Sequence, residues 1–147
     1  MNGVAGVSTA SLYQGVLKDH YLRPRNCGDL HDANVIRRGS NPRCGDDVEV
    51  GVYYEGETIR QVRFRGRGCS VCIASASLMT EAVAGKSRDA AHELTAEMKG
   101  WFSSGDGNRV PDPPETLRAL SAVQDYPARR RCVLLAWEAL DDALNAT

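Results

Sequence analysis

Long apolar runs, lysine, histidine and aromatic side chains are all scarce in this chain. No uninterrupted apolar stretch of the 147 residues approaches a membrane span, so a helical integral membrane protein is excluded. Met1 to Ala10 is small and polar, without a basic stretch followed by an apolar one, so no secretory signal is visible and a cytoplasmic location is expected. Net charge is −1, which disfavours sequence-independent binding to nucleic acid, and no membrane partner is expected either. Basic charge is carried by 15 arginines and only three lysines. Three histidines leave little material for histidine-based metal sites or catalysis. What the chain does have is cysteine, five in all. An odd number in a reducing compartment fits a disulfide framework poorly and points to metal or thiol chemistry.

Three of these cysteines stand in distinct settings. Cys44 lies in NPRCGD at 41–46, Cys69 follows Gly66-Arg67-Gly68, and Cys132 follows Arg129-Arg130-Arg131. Proline and glycine around Cys44 predict a loop that presents its side chain outward, with Asp46 aimed at the same space. Cys69 sits where a glycine turn meets a helix start, and the helix dipole there favours a thiolate. Cys132 falls in the first turns of the last helix, where the neighbouring arginines are also expected to favour the thiolate. Three thiols and a carboxylate suffice for a tetrahedral zinc site or a thiophilic iron site.

The remaining candidates read as structural. Cys69 and Cys72 form a C-x-x-C, but the antiparallel context expected here does not suit a thioredoxin-like pair, and no second C-x-x-C completes a zinc knuckle. Cys72, one turn into an apolar helix, and Cys27, beside Gly28 in a loop, are expected to be structural thiols. His20 reads as a core or boundary residue, and neither His31 nor His92 lies near a motif. Arg63, Arg65 and Arg67 alternate along a strand and read as a solvated face, though a stripe leading to Cys69 would also steer an acidic partner.

Periodicity fills in the frame. Tyr13, Val16, Leu17, His20 and Tyr21 share one face of a helix that Pro24 ends. Residues 24–34 read as loop. Val35-Ile36 opens a short strand, Val48, Val50, Val52 and Tyr54 alternate along a second, Glu55-Gly56 turns, and Val62 and Phe64 mark a third. Ser70 to Ala84 is apolar all round and predicts a buried helix with Gly85 at its end. An amphipathic helix over about 87–101 follows, then an inserted loop at about 100–115, a short helix at 115–123, and a last helix opened by Pro127. The expected fold is α+β: a three-stranded antiparallel sheet with helices on one face and the site at one end. Residues 1–10 are expected to be a flexible arm and 11–147 one domain.

In three stretches taken together the chain resembles the U-type iron–sulfur assembly proteins, the IscU/SufU family. Besides NPRCGD, these are GRGCSVCIASASLMTEAVAGKS at 66–87 and YPARRRCVLLAWEAL at 126–140, preceded by Leu12-Tyr13 through His20-Tyr21 and Pro24-Arg25-Asn26. The SufU-like branch is the better match, because Arg131 rather than histidine precedes the last cysteine and a Gly/Pro-rich insertion lies ahead of it. The resemblance implies a zinc ion held by Cys44, Asp46, Cys69 and Cys132, with Cys44 as acceptor of persulfide sulfur from a SufS-type cysteine desulfurase. It implies downstream iron–sulfur assembly or acceptor proteins as further partners, and a zinc-dependent sulfurtransferase-type activity. The alternative it carries is a non-enzymatic scaffold that assembles a [2Fe–2S] cluster on the same ligands. Cys72 departs from the residue usual at its position and adds a thiol one helical turn from Cys69.

Overall fold

The computed structural model describes residues 9–43, 45–103, 114–123 and 126–146. Four α-helices, three strands and one 3-10 helix follow in order: α1 (Thr9–Leu22), β1 (Val35–Asn41), β2 (Asp46–Glu55), β3 (Thr58–Arg67), α2 (Ser70–Val83), α3 (Arg88–Ser103), the 3-10 helix (Glu115–Val123) and α4 (Pro127–Asn145). The sheet is an antiparallel meander, β1-β2-β3. Thr9 and Ala10, expected in the N-terminal arm, already belong to α1; the rest of that arm, and the core of the expected insertion at 104–113, lie outside the described residues.

Alternation in β2 and β3 works as the sequence leads one to expect. Val48, Val50, Val52, Ile59, Val62 and Phe64 are fully buried on one face, under α2 and α4. Each such side chain contributes about 1.5–3 kcal/mol of hydrophobic stabilisation. The first strand is longer than its apolar pair Val35-Ile36 suggests and runs on through Gly39 to Asn41. The reason is steric. A Cβ on Gly39 would stand 2.9 Å from the backbone oxygen of Leu135, so only glycine lets α4 lie this close to β1. On the other face, Leu30 and Ala33 cover Gly51, and ion pairs Arg38–Asp47 and Arg65–Glu49 occupy the rest.

The apolar surroundings of α2 conceal three fully buried polar residues, each with partners. Ser75 Oγ donates to Val133 O at 2.8 Å and accepts from Trp137 Nε1 at 3.2 Å, tying α2 to α4. Ser77 Oγ accepts from Arg25 N at 2.8 Å and hydrogen-bonds His20 Nδ1 at 2.7 Å, tying α2 to α1. Thr80 Oγ1 donates to Ser77 O at 2.7 Å and accepts from Asn26 Nδ2 at 3.0 Å. On the far side of α4, Asp141 pairs with Lys99 and His92 of α3. No helix among the described residues is long and apolar enough to cross a membrane.

Candidate metal centre

Three chain segments end at one point. The connection from β1 to β2 is short, because Asn41 and Asp46 are themselves a paired couple in the sheet. Gly45 closes it at a positive φ of 77° while its N–H donates to Asn41 O at 2.9 Å, and Arg43 N donates to Asn41 Oδ1 at 3.2 Å. Asp46 is thereby fixed as the first residue of β2, and its carboxylate is only 2% exposed.

Cys69 is the N-cap of α2, in extended backbone conformation. Its N–H donates to Asp46 Oδ1 at 3.1 Å, and its Sγ lies 3.8 Å from Asp46 Oδ2. The carboxylate thus takes one of the amide donors that a helix start leaves without an intrahelical acceptor. Two glycines make the approach possible. At Gly66, with φ of 142°, a Cβ would sit 2.1 Å from Asp47 O; at Gly68 it would sit 2.9 Å from Cys72 Sγ and 3.2 Å from Asp46 Cγ. Cys132 arrives from the second turn of α4, which Pro127 opens.

The result is a cluster in which ligand atoms of Asp46, Cys69 and Cys132 all lie within 4.8 Å of one another. Neighbouring ligands of a tetrahedral zinc with Zn–S near 2.3 Å are separated by about 3.5–3.8 Å, so this spacing needs only small side-chain adjustments. The donor set fits zinc or iron: among the described residues the buried carboxylate accepts one N–H hydrogen bond, its other neighbours being the two thiols, where it can accept about four. Cys132 departs from the expectation of an arginine-favoured thiolate. Burial, then the adjacent Cys69 and Asp46, push its thiol far above the usual range, because a second negative charge in this enclosed spot is unfavourable without a cation.

The other sequence candidates separate cleanly. Cys44 lies outside the described residues, but its chain neighbours Arg43 and Gly45 both line the cleft of about 740 Å3 over the cluster. Cys72 is fully buried behind Gly68 and does not join the three-residue cluster. Cys27 differs from the structural thiol expected there: its side chain is exposed, while its backbone neighbours do the structural work by pairing with Phe64. His20 is buried against Ser77, His92 pairs with Asp141, and exposed His31 neighbours Asp32; none approaches the cluster.

One feature escapes the sequence. Of the supposed stripe, Arg63 donates to Asp29 O and Arg65 pairs with Glu49; only Arg67 reaches the cleft. There it joins Arg43, Arg129 and Arg131 around the mouth. Four arginines spread from position 43 to position 131 carry no local signal of convergence; the antiparallel pairing and the packing of α4 on the sheet bring them together.

Comparison with known proteins identifies the family. Residues 12–133 match the family described as NifU-like N terminal domain. The zinc-dependent sulfurtransferase SufU of Bacillus subtilis (strain 168) is 35% identical over 131 residues, spanning 89% of this chain and 88% of that one. The iron–sulfur cluster assembly scaffold protein IscU of Streptococcus pyogenes serotype M1 is 35% identical over 134 residues, 91% of this chain and 83% of that one. Among solved structures, a SUF-system cluster assembly scaffold protein from Fervidobacterium islandicum AW-1 superposes with a TM-score of 0.80 at 27% identity, covering 93% of this chain and 99% of the other. With the family match spanning most of the chain and both relatives covered nearly end to end, this protein belongs to the NifU-like N-terminal domain family, the family of the SufU and IscU proteins.

Proposed function

We propose that this chain is a zinc-binding sulfur acceptor in iron–sulfur cluster assembly, which takes persulfide sulfur from a cysteine desulfurase and passes it on. The observation that carries this reading is the convergence of Asp46, Cys69 and Cys132 at the cleft lined by both neighbours of Cys44. The similarity to a zinc-dependent sulfurtransferase supports it. Cys44, Cys69, Cys132 and Asp46 would hold the metal. Zinc, when bound, supplies a redox-silent positive charge that keeps its thiol ligands deprotonated.

The chain's own residues account for the rest. Cys69 and Cys132 stand on two helices locked to each other through Ser75, so they anchor the site. Asp46 is a hard oxygen ligand among soft thiolates and is the one that yields most readily. Cys44 is the acceptor: its thiolate attacks the outer sulfur of the donor's persulfide, a new S–S bond forms on Cys44, the donor's S–S bond breaks, and the donor cysteine leaves as a thiolate. No net oxidation occurs.

The test is metal analysis of protein purified without added metal, coupled to mapping of persulfide after incubation with a cysteine desulfurase and cysteine. Colourless protein with about one zinc per chain and persulfide on Cys44, lost in Cys44→Ser with the fold intact, supports the proposal. Persulfide mainly on Cys69, Cys72 or Cys132 means the acceptor is misassigned. Brown protein carrying iron and inorganic sulfide favours a [2Fe–2S] scaffold on the same ligands. Zinc without any change in desulfurase turnover leaves a zinc-stabilised interaction domain.

A further inference from the structure

The four arginines at the mouth of the cleft differ from five others that are held in ion pairs. Arg23 and Arg25 pair with Asp19, Arg37 with Asp142, Arg38 with Asp47 and Arg65 with Glu49. Arg43, Arg67, Arg129 and Arg131 are all exposed, and among the described residues none of them forms an ion pair. Arg67 is opposite Asp47 in the sheet and helps hold that carboxyl below its ordinary range, but Arg38 has the stronger hold, with both of its hydrogen bonds on the Asp47 oxygens. Among the described residues the only acid lining the cleft is Asp46, buried and engaged by the Cys69 amide. Four like charges around one opening repel one another, and in a chain of net charge −1 they form a local positive field with no internal counterpart described.

We infer that this arginine rim is the docking site for an acidic segment of the protein that delivers sulfur. The inference rests on the sulfur-acceptor reading above. Three features favour a protein segment over a small anion. The arginines come from three separate elements, the β1–β2 connection, the end of β3 and the start of α4. They stand exposed around an opening and do not converge inside a buried pocket. Cys69 and Cys132 line the cleft and Cys44 lies in sequence between two of its lining residues, so a donor's cysteine brought to this site would carry the donor surface beside it over the arginines. Guanidinium groups take carboxylates in a two-point fork, which adds orientation to attraction and would set the donor sulfur over the cleft.

The test is the association rate of the full-length protein with the cysteine desulfurase of the same organism, measured over a series of salt concentrations. The variants are Arg43→Glu/Arg67→Glu and the neutral pair Arg43→Gln/Arg67→Gln, each checked for unchanged zinc content and melting temperature. The parent's rate is expected to fall steeply with added salt, and the double reversal to slow association about tenfold at low salt with a flatter salt dependence. The neutral pair is expected to lie between, and a short polyglutamate peptide to slow the parent where a polylysine peptide does not. A parent rate insensitive to salt, or variants that associate as fast as the parent, overturns the inference. The two readings fail separately: absence of persulfide on the parent at saturating desulfurase sinks the acceptor reading while the rates still report docking, and persulfide formed with unaltered variant rates sinks only the docking.

Discussion

The two ends of α2 bury polar groups under opposite rules. Toward the middle and C-terminal half, Ser75, Ser77 and Thr80 are fully buried, and each exchanges short hydrogen bonds with α1, α4 or the loop after α1. At the N-terminal end, half-buried Cys69 meets buried Asp46 and Cys132, yet these groups have little to offer one another: one amide bond to the carboxylate, and a Cys132 thiol whose ionisation is opposed by burial and by its neighbours. Polar groups that satisfy one another are architecture. Polar groups that converge without doing so are arranged for something from outside. The same helix, a few turns apart, shows both.

That contrast can be broken by mutation, and the largest effect belongs to the site end. Cys132→Ala should weaken zinc binding by more than about a hundredfold, beyond the loss typical of an outer-shell partner, while barely changing the melting temperature of metal-free protein. Competition with a chromophoric chelator measures the first and calorimetry the second. If the metal-free variant collapses, the thiol is architecture after all.

Gly68→Ala comes next. The added methyl would press on Cys72 Sγ and Asp46 together, so zinc affinity should fall and stability should drop by about 1–3 kcal/mol. Equal metal affinity in parent and variant would mean the site end tolerates crowding that a fixed geometry should not.

At the other end, Ser77→Ala leaves both Arg25 N and His20 Nδ1 without their hydrogen bond and should cost about 1–3 kcal/mol in urea unfolding with zinc content unchanged. A loss of zinc on this substitution would merge the two regions that the comparison separates.

The smallest effect is a pH slope. His20 is held below its ordinary value, first by burial and then by Arg25, against opposition from Glu81 and Asp19. With the folded value below the unfolded one, the unfolded chain binds more protons, so this contribution is full above about pH 6.5 and is lost as pH falls through the folded value. Stability followed downward from neutral pH should therefore decline, and His20→Gln should flatten that part of the curve. An unaltered slope would assign the acid sensitivity to other groups.

Much of this contrast could be read from sequence at one end only. Glycine spacing, helix starts and Pro127 mark where Cys69 and Cys132 stand, and Asp46 follows Cys44 closely enough to share its loop, because these are local signals. The polar partners inside α2 carry no such signal. Ser75, Ser77 and Thr80 look like tolerated small residues in an apolar helix; apart from the local bond from Thr80 to Ser77 O, their partners are more than fifty positions away in the chain and exist only once α1 and α4 have docked. The extension of β1 past Ile36 was hidden for a related reason, since Arg37-Arg38-Gly39-Ser40 has no apolar alternation and Gly39 answers to the backbone of Leu135. The direction of the Cys132 shift was also out of reach, because adjacency to three arginines in sequence says nothing of burial beside Cys69 and Asp46.

The bond from Ser75 to Val133 has a mechanical consequence. Val133 follows Cys132, and Ser75 stands in the same helix as Cys69, so that one hydroxyl, braced by the Trp137 ring nitrogen, fixes the two thiols as a single jaw. Asp46 belongs to the other jaw, carried by the sheet and by the short turn from Asn41. A metal held between the two would be gripped on the helical side by a pair of thiols that the Ser75 bond keeps together, and any exchange of ligand would fall to Asp46.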